Sequence, residues 1–330
     1  MIQTVVREFS VTPTNIESLG NAGGFSGSSI WRITADEQQF CLKRWPQSFS
    51  DRERIDWIHR VIVFAAANGC PEVAKPLASR TGTTFVEQND CYWELTPWVK
   101  SQTTLEESPT TESIGSALNL IARFHQATAR YHFNFATSRN AGIVVENLRG
   151  LEAMLLKIAQ GFSHQPIYLE HSQFKLFRSH APAIAKRIES QLMPLTQSMV
   201  PVQPVVRDLR AEHLFVDNQS AVALIDFGAM QIDSVACDLA RLFSSLEIFD
   251  KDAVQTMYES YCNDRYSGLA PTKVEQELLN QFLLAIPVVS IANWLNWLYV
   301  DDRKFESTED VNNRLQKLMG NFEAVATQGL

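Results

Sequence analysis

The chain has 330 residues, 45% of them apolar and 20% charged, with a net charge of -8 at neutral pH. That length suits two lobes better than one core, and the composition is that of a globular protein that folds without a disulfide or structural metal. The acidic balance, with Lys and Arg scattered along the chain, argues against nucleic acid and against an anionic membrane surface as partners.

The first hundred residues are rich in strand signals. Residues 29–34 and 40–45 carry β-branched and aromatic side chains around a polar turn at 35–39, which predicts a hairpin. Residues 55–67 predict a helix with Ile55, Ile58, Ile62 and Ala65 on one face, stopped at Asn68-Gly69. Residues 83–87 and 91–95 predict two more strands around a turn at Asn89-Asp90. After Pro97 the pattern becomes helical. Ile114, Ala117, Leu118, Ile121 and Phe124 form one stripe. Further helices are predicted at 151–160, 183–193, 234–246, 251–262, 274–300 with a kink at Pro287, and 308–326. One β island, 214–227 with a polar turn at 217–220, interrupts the series.

This order predicts an α+β fold of two lobes. Residues 1–98 form a small antiparallel β lobe with one main helix. Residues 99–330 form a large, mainly helical lobe carrying a β-hairpin. The connection runs from about 95 to 100, and a ligand is expected between the lobes. The five cysteines, Cys41, Cys70, Cys91, Cys237 and Cys262, are odd in number and form no CxxC pair, as expected of reduced thiols in a cytoplasmic protein. The N-terminus lacks the pattern of a signal peptide. The most apolar stretch, 285–300, is broken by Ser290, Asn293 and Asn296, too short and polar for a membrane span.

The chemistry concentrates in residues 205–230, VVRDLRAEHLFVDNQSAVALIDFGAM. A loop aspartate, Asp208, is followed by a predicted hairpin and then by Ile225-Asp226-Phe227-Gly228. Phosphoryl transfer asks little more of a protein than an oriented acceptor hydroxyl and a metal that neutralises the phosphates. A loop aspartate orients the hydroxyl, and a single aspartate suffices for magnesium when phosphate oxygens complete the shell. Either aspartate alone reads as a loop or cap residue; the pair at this spacing points to the chemistry.

The segment resembles the catalytic loop H-G-D-x-H-x-x-N, hairpin and I-D-F-G of kinase-like phosphotransferases, and is most similar to aminoglycoside phosphotransferases and choline-kinase-like enzymes. The resemblance implies a protein-kinase-like fold, ATP with Mg2+ (or Mn2+) as cofactors, a small-molecule hydroxyl acceptor, Asp208 as the catalytic residue and Asp226 as the metal ligand. It names no protein partner. The chain departs from the motif at Val206, Arg207 and Arg210, and at His213, which stands where the family has an asparagine. His213 is read either as a weak metal ligand or phosphate contact, or as a residue bracing the loop.

Other stations of the resemblance lie upstream. The loop GGFSGSS at 23–29 offers Gly24, Ser26 and Gly27 as backbone contacts to phosphate. Phe40-Cys41-Leu42-Lys43 carries a lysine where the family has its α/β-phosphate lysine. The helix glutamate that usually partners this lysine falls on Ile58; Glu53, Asp56 and His59 lie near it without matching. Leu95 and Trp98 fall at the hinge, where Trp98 either packs on the nucleotide or fills the lobe junction. His125, in Ile121-Ala122-Arg123-Phe124-His125, reads as a core histidine. In the run at 234–242, Asp238 reads as structural and Ser234 replaces the family's first aspartate. Trp294, Trp297 and Tyr299 beside Asp301-Asp302 read as helix core or as a seat for a cationic group. The function expected is phosphoryl transfer to a hydroxyl of an aminoglycoside-, amino-alcohol- or sugar-like molecule. The alternative is a nucleotide-binding pseudokinase acting as a regulatory or scaffold module.

Overall fold

The computed structural model describes all residues except 22–24, 26, 50, 102, 162–170, 266–271, 306 and 328–330. In chain order its elements are α1 (Ile2–Glu8), β1 (Asn15–Ser18), β2 (Ser29–Ala35), β3 (Gln38–Arg44), α2 (Arg52–Ala67), β4 (Val86–Gln88), β5 (Cys91–Pro97), β6 (Thr103–Thr104) and α3 (Thr111–Tyr131). There follow β7 (Asn134–Thr137), α4 (Arg139–Gly161), α5 (His171–Leu195), β8 (Met199–Val205), a 3-10 turn at Ala211–His213, β9 (Leu214–Asp217) and β10 (Ser220–Leu224). The chain closes with β11 (Gln231–Asp233), α6 (Ala236–Ser245), α7 (Lys251–Arg265), α8 (Lys273–Tyr299) and α9 (Thr308–Thr327). The fold is α+β and protein-kinase-like, with an antiparallel sheet near the N-terminus and a larger helical part after it. These elements pack as two compact units, Met1–Tyr131 with Glu212–Met230, and His132–Ala211 with Gln231–Leu330. Compactness thus groups α3 and the β9–β10 hairpin with the sheet, whereas composition suggests a boundary at 98.

The first unit is built on a five-stranded antiparallel sheet of order β1-β2-β3-β5-β4. Alternation along β2 and β3 turns Ile33, Ala35, Phe40 and Leu42 to one face, where Val5, Val6 and Phe9 of the N-terminal segment cover them together with Trp93 and Leu95. Helix α2 starts at Asp51, whose carboxylate accepts from the Arg54 N–H at 2.9 Å. Its predicted stripe of Ile55, Ile58, Ile62 and Ala65 is buried. The β9–β10 hairpin is anchored by backbone hydrogen bonds. Leu224 N–H donates to the Glu72 carbonyl and Ala74 N–H to the Leu224 carbonyl, each at 3.0 Å. The short strand β6 pairs on the other side, with β9.

The second unit is assembled around α8, which packs against α4, α5, α6 and α9. Among the described residues α8 is the one helix long and apolar enough to cross a membrane, and 56% of its most apolar stretch is buried inside the protein. It is the core helix of its unit. It runs through Pro287, which withholds the N–H that the Leu283 carbonyl would otherwise receive. Sequence reading expected a single β island in this part of the chain; the structure adds a three-stranded sheet of order β11-β8-β7. Pro201 and Pro204 disguise β8, because proline cannot donate to a ladder. The strand tolerates them because residues 199–202 pair only with β7 and 203–205 only with β11, so each half has one open side.

A buried ion pair ties this sheet to the helices. Arg265 donates to Glu275 Oε1 at 3.1 Å and to Gln203 Oε1 at 2.8 Å, with both charged side chains almost fully buried. Removing one member leaves the other charged without water. Glu275→Ala is expected to cost about 3–5 kcal/mol of folding stability, and the neutral but hydrogen-bonding Glu275→Gln less, both read from urea denaturation midpoints.

Candidate active site

Lys43 is the centre of the first unit's polar cluster. Strand β3 pairs with β5 so that Lys43 stands directly opposite Glu94, which puts both side chains on one face of the sheet. The Lys43 ammonium donates to Asp226 Oδ1 at 2.9 Å, across 183 residues of sequence. It also lies 5.0 Å from the centre of the Trp45 ring. Burial works against the lysine's charge, but Asp226 and Glu94 outweigh it and hold the ammonium above its usual range.

Glu94 is the residue that sequence reading missed. Its Oε2 accepts from Trp45 Nε1 at 3.0 Å and pairs with His59 Nε2 at 2.7 Å. The other imidazole nitrogen of His59 pairs with Thr84 Oγ1 at 2.8 Å. Burial pushes the Glu94 carboxyl up, yet the hydrogen bond and charge of His59, then Lys43 and Trp45, hold it below the usual carboxylate range. Of the three candidates near the expected helix glutamate, His59 therefore joins the cluster, by way of a carboxylate on a strand. The antiparallel pairing of FCLKR with CYWELTP is the signal that could have found Glu94.

Asp226 follows the hairpin in a left-handed backbone conformation, φ 61°. Its carboxylate is partly exposed, at 41%, while the adjoining Phe227 is buried and packs on Phe124 with ring centres 5.7 Å apart. His213 is nearly buried, with Nε2 3.7 Å from Asp226 Oδ2 and 3.8 Å from Glu212 Oε1. Its carbonyl accepts from the Ile225 N–H at 3.0 Å. Magnesium takes oxygen ligands and is commonly held by one or two carboxylates together with phosphate oxygens. Among the described residues no group of three or more His, Cys, Asp and Glu side chains forms a ready-made cage. One half-exposed carboxylate, Asp226, fits an ion that arrives with nucleotide oxygens.

Of the remaining expected contacts, Gly24 and Ser26 lie outside the described residues. Gly27 has φ 83°, a conformation that favours glycine. Leu95 sits in the sheet core, fully buried, and its carbonyl accepts from the Leu77 N–H at 2.8 Å. Trp98 stacks with the Arg32 guanidinium, 4.4 Å from the ring centre. His125 is fully buried, in keeping with a core histidine. An open polar hollow along β6 and the β9–β10 turn, lined by Lys100, Ser101, Thr103, Asp217 and Asn218, contains none of the expected site residues.

Asp208 belongs to the second unit and has its own surroundings there. Arg241 Nε donates to its Oδ1 at 2.8 Å, and Arg210 Nε lies 3.5 Å from its Oδ2. Arg241 also reaches Ser290 Oγ of α8 at 3.2 Å. Arg210 and Arg241 line a narrow crevice with Ser244, Ser245, Arg314 and Lys317. The backbone just before Asp208 is clamped by the fully buried Asp238 of α6. Asp238 Oδ2 accepts the Val206 N–H at 2.8 Å and Oδ1 the Arg207 N–H at 2.6 Å. Asp238 is thus structural, as the sequence suggested. At the end of α8, Trp294 is buried while Trp297 and Tyr299 are partly exposed, and the chain's own Arg303 guanidinium lies 5.0 Å from the Trp297 ring centre and 4.9 Å from that of Phe305. Because an asparagine offers one acceptor to the two N–H groups, Asp238→Asn is expected to lose about 2–4 kcal/mol of stability, measurable by chemical denaturation.

The sequence profile of the phosphotransferase enzyme family known as APH matches residues 19–272, well over half of the chain. No curated protein gives a significant match. Solved structures of the same fold include a spectinomycin phosphotransferase in complex with ADP and spectinomycin, 12% identical, with a TM-score of 0.68 over 96% of this chain and 94% of that one. An aminoglycoside phosphotransferase from Alicyclobacillus acidocaldarius is 15% identical, with a TM-score of 0.65 over 98% of this chain and 93% of that one. Amicoumacin kinase, in complex with AMP-PNP and Ca2+, is 14% identical, with a TM-score of 0.61 over 95% of this chain and 89% of that one. At such identities the structural likeness speaks for the fold alone. The profile match decides the family: this chain belongs to the phosphotransferase enzyme family.

Proposed function

We propose that the protein is an ATP-dependent kinase that moves the γ-phosphoryl group of ATP to a hydroxyl of a small molecule. The observation that carries this reading is the Lys43–Asp226 contact at 2.9 Å, which joins a β3 lysine to the aspartate of the I-D-F-G segment. The nucleotides bound by the spectinomycin phosphotransferase and the amicoumacin kinase, ADP and AMP-PNP, support a nucleotide here. In this reading Lys43 contacts the α/β-phosphates, and Gly24, Ser26 and Gly27 are proposed to lend backbone N–H groups to them. Residues 95–98 border the adenine. Asp226 holds Mg2+ or Mn2+, which supplies charge neutralisation to the phosphates when bound. His213 braces the far oxygen of Asp226, since an imidazole nitrogen suits magnesium poorly. Asp208 orients the acceptor hydroxyl and takes up its proton. The guanidinium groups of Arg210 and Arg241 beside Asp208 favour a neutral or acidic hydroxyl compound, sugar-like in character, over a polycationic aminoglycoside.

The same ion pairs support a second reading. A carboxylate already engaged by two guanidiniums suits a scaffold that binds nucleotide without turning it over. Thermal stability with ATP and Mg2+ or Mn2+ tests the first requirement of both. At roughly a hundredfold excess over its dissociation constant, a ligand of the folded state adds about 2.7 kcal/mol. The wild type is expected to show a metal-dependent rise in melting temperature that Asp226→Asn loses and Asp208→Asn keeps. Turnover of ATP with a panel of hydroxyl compounds is expected in the wild type and absent in Asp208→Asn. A rise without turnover favours the pseudokinase, and no rise with any nucleotide sinks the kinase reading.

A further inference from the structure

We propose that Glu94, carried on β5 and clamped by His59 of α2, is the positioning residue that holds Lys43 toward the nucleotide phosphates, in place of a helix glutamate. The inference rests on the kinase reading of the site. Helix α2 carries no acid at the matching position: Ile58 is buried in the core. Its neighbour His59, also buried, turns to Glu94 at 2.7 Å. Glu94 lies opposite Lys43 in the strand register, so the helix reaches the lysine's neighbourhood through a strand-borne carboxylate.

The arrangement answers a specific need. Lys43 donates to Asp226 Oδ1, and Asp226 is the carboxylate that the metal requires. When Asp226 turns to a metal ion, a buried ammonium still needs a fixed counter-charge, or it is held away from the phosphates by the cost of its own desolvation. Glu94 is such a charge. Hydrogen bonds from Trp45 and His59 fix its position, and Thr84 fixes the far side of the imidazole. Both Asp226 and Glu94 favour the charged form of Lys43. Cys41, on the same strand, is the other titratable group close to the pair, and burial with the Glu94 charge pushes its thiol up to about 11, so it stays neutral.

A buried His–Glu pair can also serve stability alone, and the experiment separates the two roles. ATP–Mg2+ affinity is measured by calorimetry on the full chain below its melting temperature, for the wild type, Glu94→Gln and the exchange Glu94→Gln/His59→Glu. Glu94→Gln keeps the shape and the Trp45 hydrogen bond but loses the charge. It is expected to bind ATP–Mg2+ roughly tenfold more weakly, from the lost charge attraction on Lys43. The exchange returns a carboxylate from the helix side and is expected to recover affinity to within about threefold of wild type, whatever its melting temperature. Affinity unchanged in Glu94→Gln, or affinity in the exchange that merely tracks stability, overturns the proposal. If Glu94→Gln does not fold, His59→Gln carries the test, since it loosens the clamp and leaves the carboxylate: weaker ATP–Mg2+ binding supports the role, unchanged binding overturns it. A wild type that does not bind ATP–Mg2+ removes the kinase reading itself, a result distinct from a wild type that binds while Glu94→Gln binds equally well.

Discussion

One ammonium, bonded to one carboxylate and facing a second across the strand register, organises the first unit. Lys43 cannot be buried unpaired, because an isolated charge out of water costs several kcal/mol. Its two counter-charges come from different routes through the chain. Glu94 arrives by the β3–β5 register. Asp226 arrives at the end of the hairpin that backbone bonds to Glu72 and Ala74 hold in place. The core beneath serves the same end. Leu42 and Leu95, flanking Lys43 and Glu94 in the paired strands, are fully buried and hold the register that brings the charges together. The two partners are not equal. Asp226 is 41% exposed and Glu94 only 14%, so solvent screens the charge of the first more than that of the second.

The second unit handles its aspartate differently. Asp208 is oriented from its side-chain oxygens by Arg241 and Arg210, and its backbone is set from behind by Asp238. Helix α6 supplies both Asp238 and Arg241, three residues apart on one helical face. The loop is thereby anchored to a helix whose Leu239, Leu242 and Phe243 are fully buried. Arg241 extends the chain of contacts to Ser290 on the core helix α8. Support of this kind is what the proposed role of Asp208 asks for, since small displacements of an orienting group are costly for group transfer.

Much of this was legible in the residues, for physical reasons that differ from place to place. Lys43 and the 205–230 segment could be read because their meaning is local: a lysine on a short strand, and two aspartates at the two ends of one hairpin. The apolar stripes of α2 and α3 could be read because helical periodicity repeats over several turns. Glu94 escaped because its partner lies 51 positions away and is defined only by strand register. His59 was named as a neighbour of the expected position but not matched to a role, because it reaches the lysine's surroundings only through Glu94. Strand β8 escaped because Pro201 and Pro204 argue against a strand unless one knows that each half has a single neighbour. The helix 273–299 was legible as one apolar element, and it continues through Pro287 with packing on four other helices of its unit around one missing backbone bond.

Backbone strain marks both aspartates. Arg207, just before Asp208, has φ 69°, and Asp226 has φ 61°. Each such position costs on the order of 1–3 kcal/mol and persists only where its surroundings over-determine it. At Asp226 the residue type helps, because aspartate enters the left-handed region more readily than most side chains. At Arg207 it does not, and the family motif has glycine there, the residue that makes the conformation free. What replaces that freedom is the Asp238 carboxylate. Its bonds run to the N–H groups of Val206 and Arg207 and take no account of the side chain that follows. Two hydrogen bonds to a buried charge contribute about 1.5–3 kcal/mol each, enough to offset the strain of one left-handed arginine. The conformation that the motif's glycine permits is held in this chain from α6, and the loop carries a guanidinium next to Asp208 in sequence.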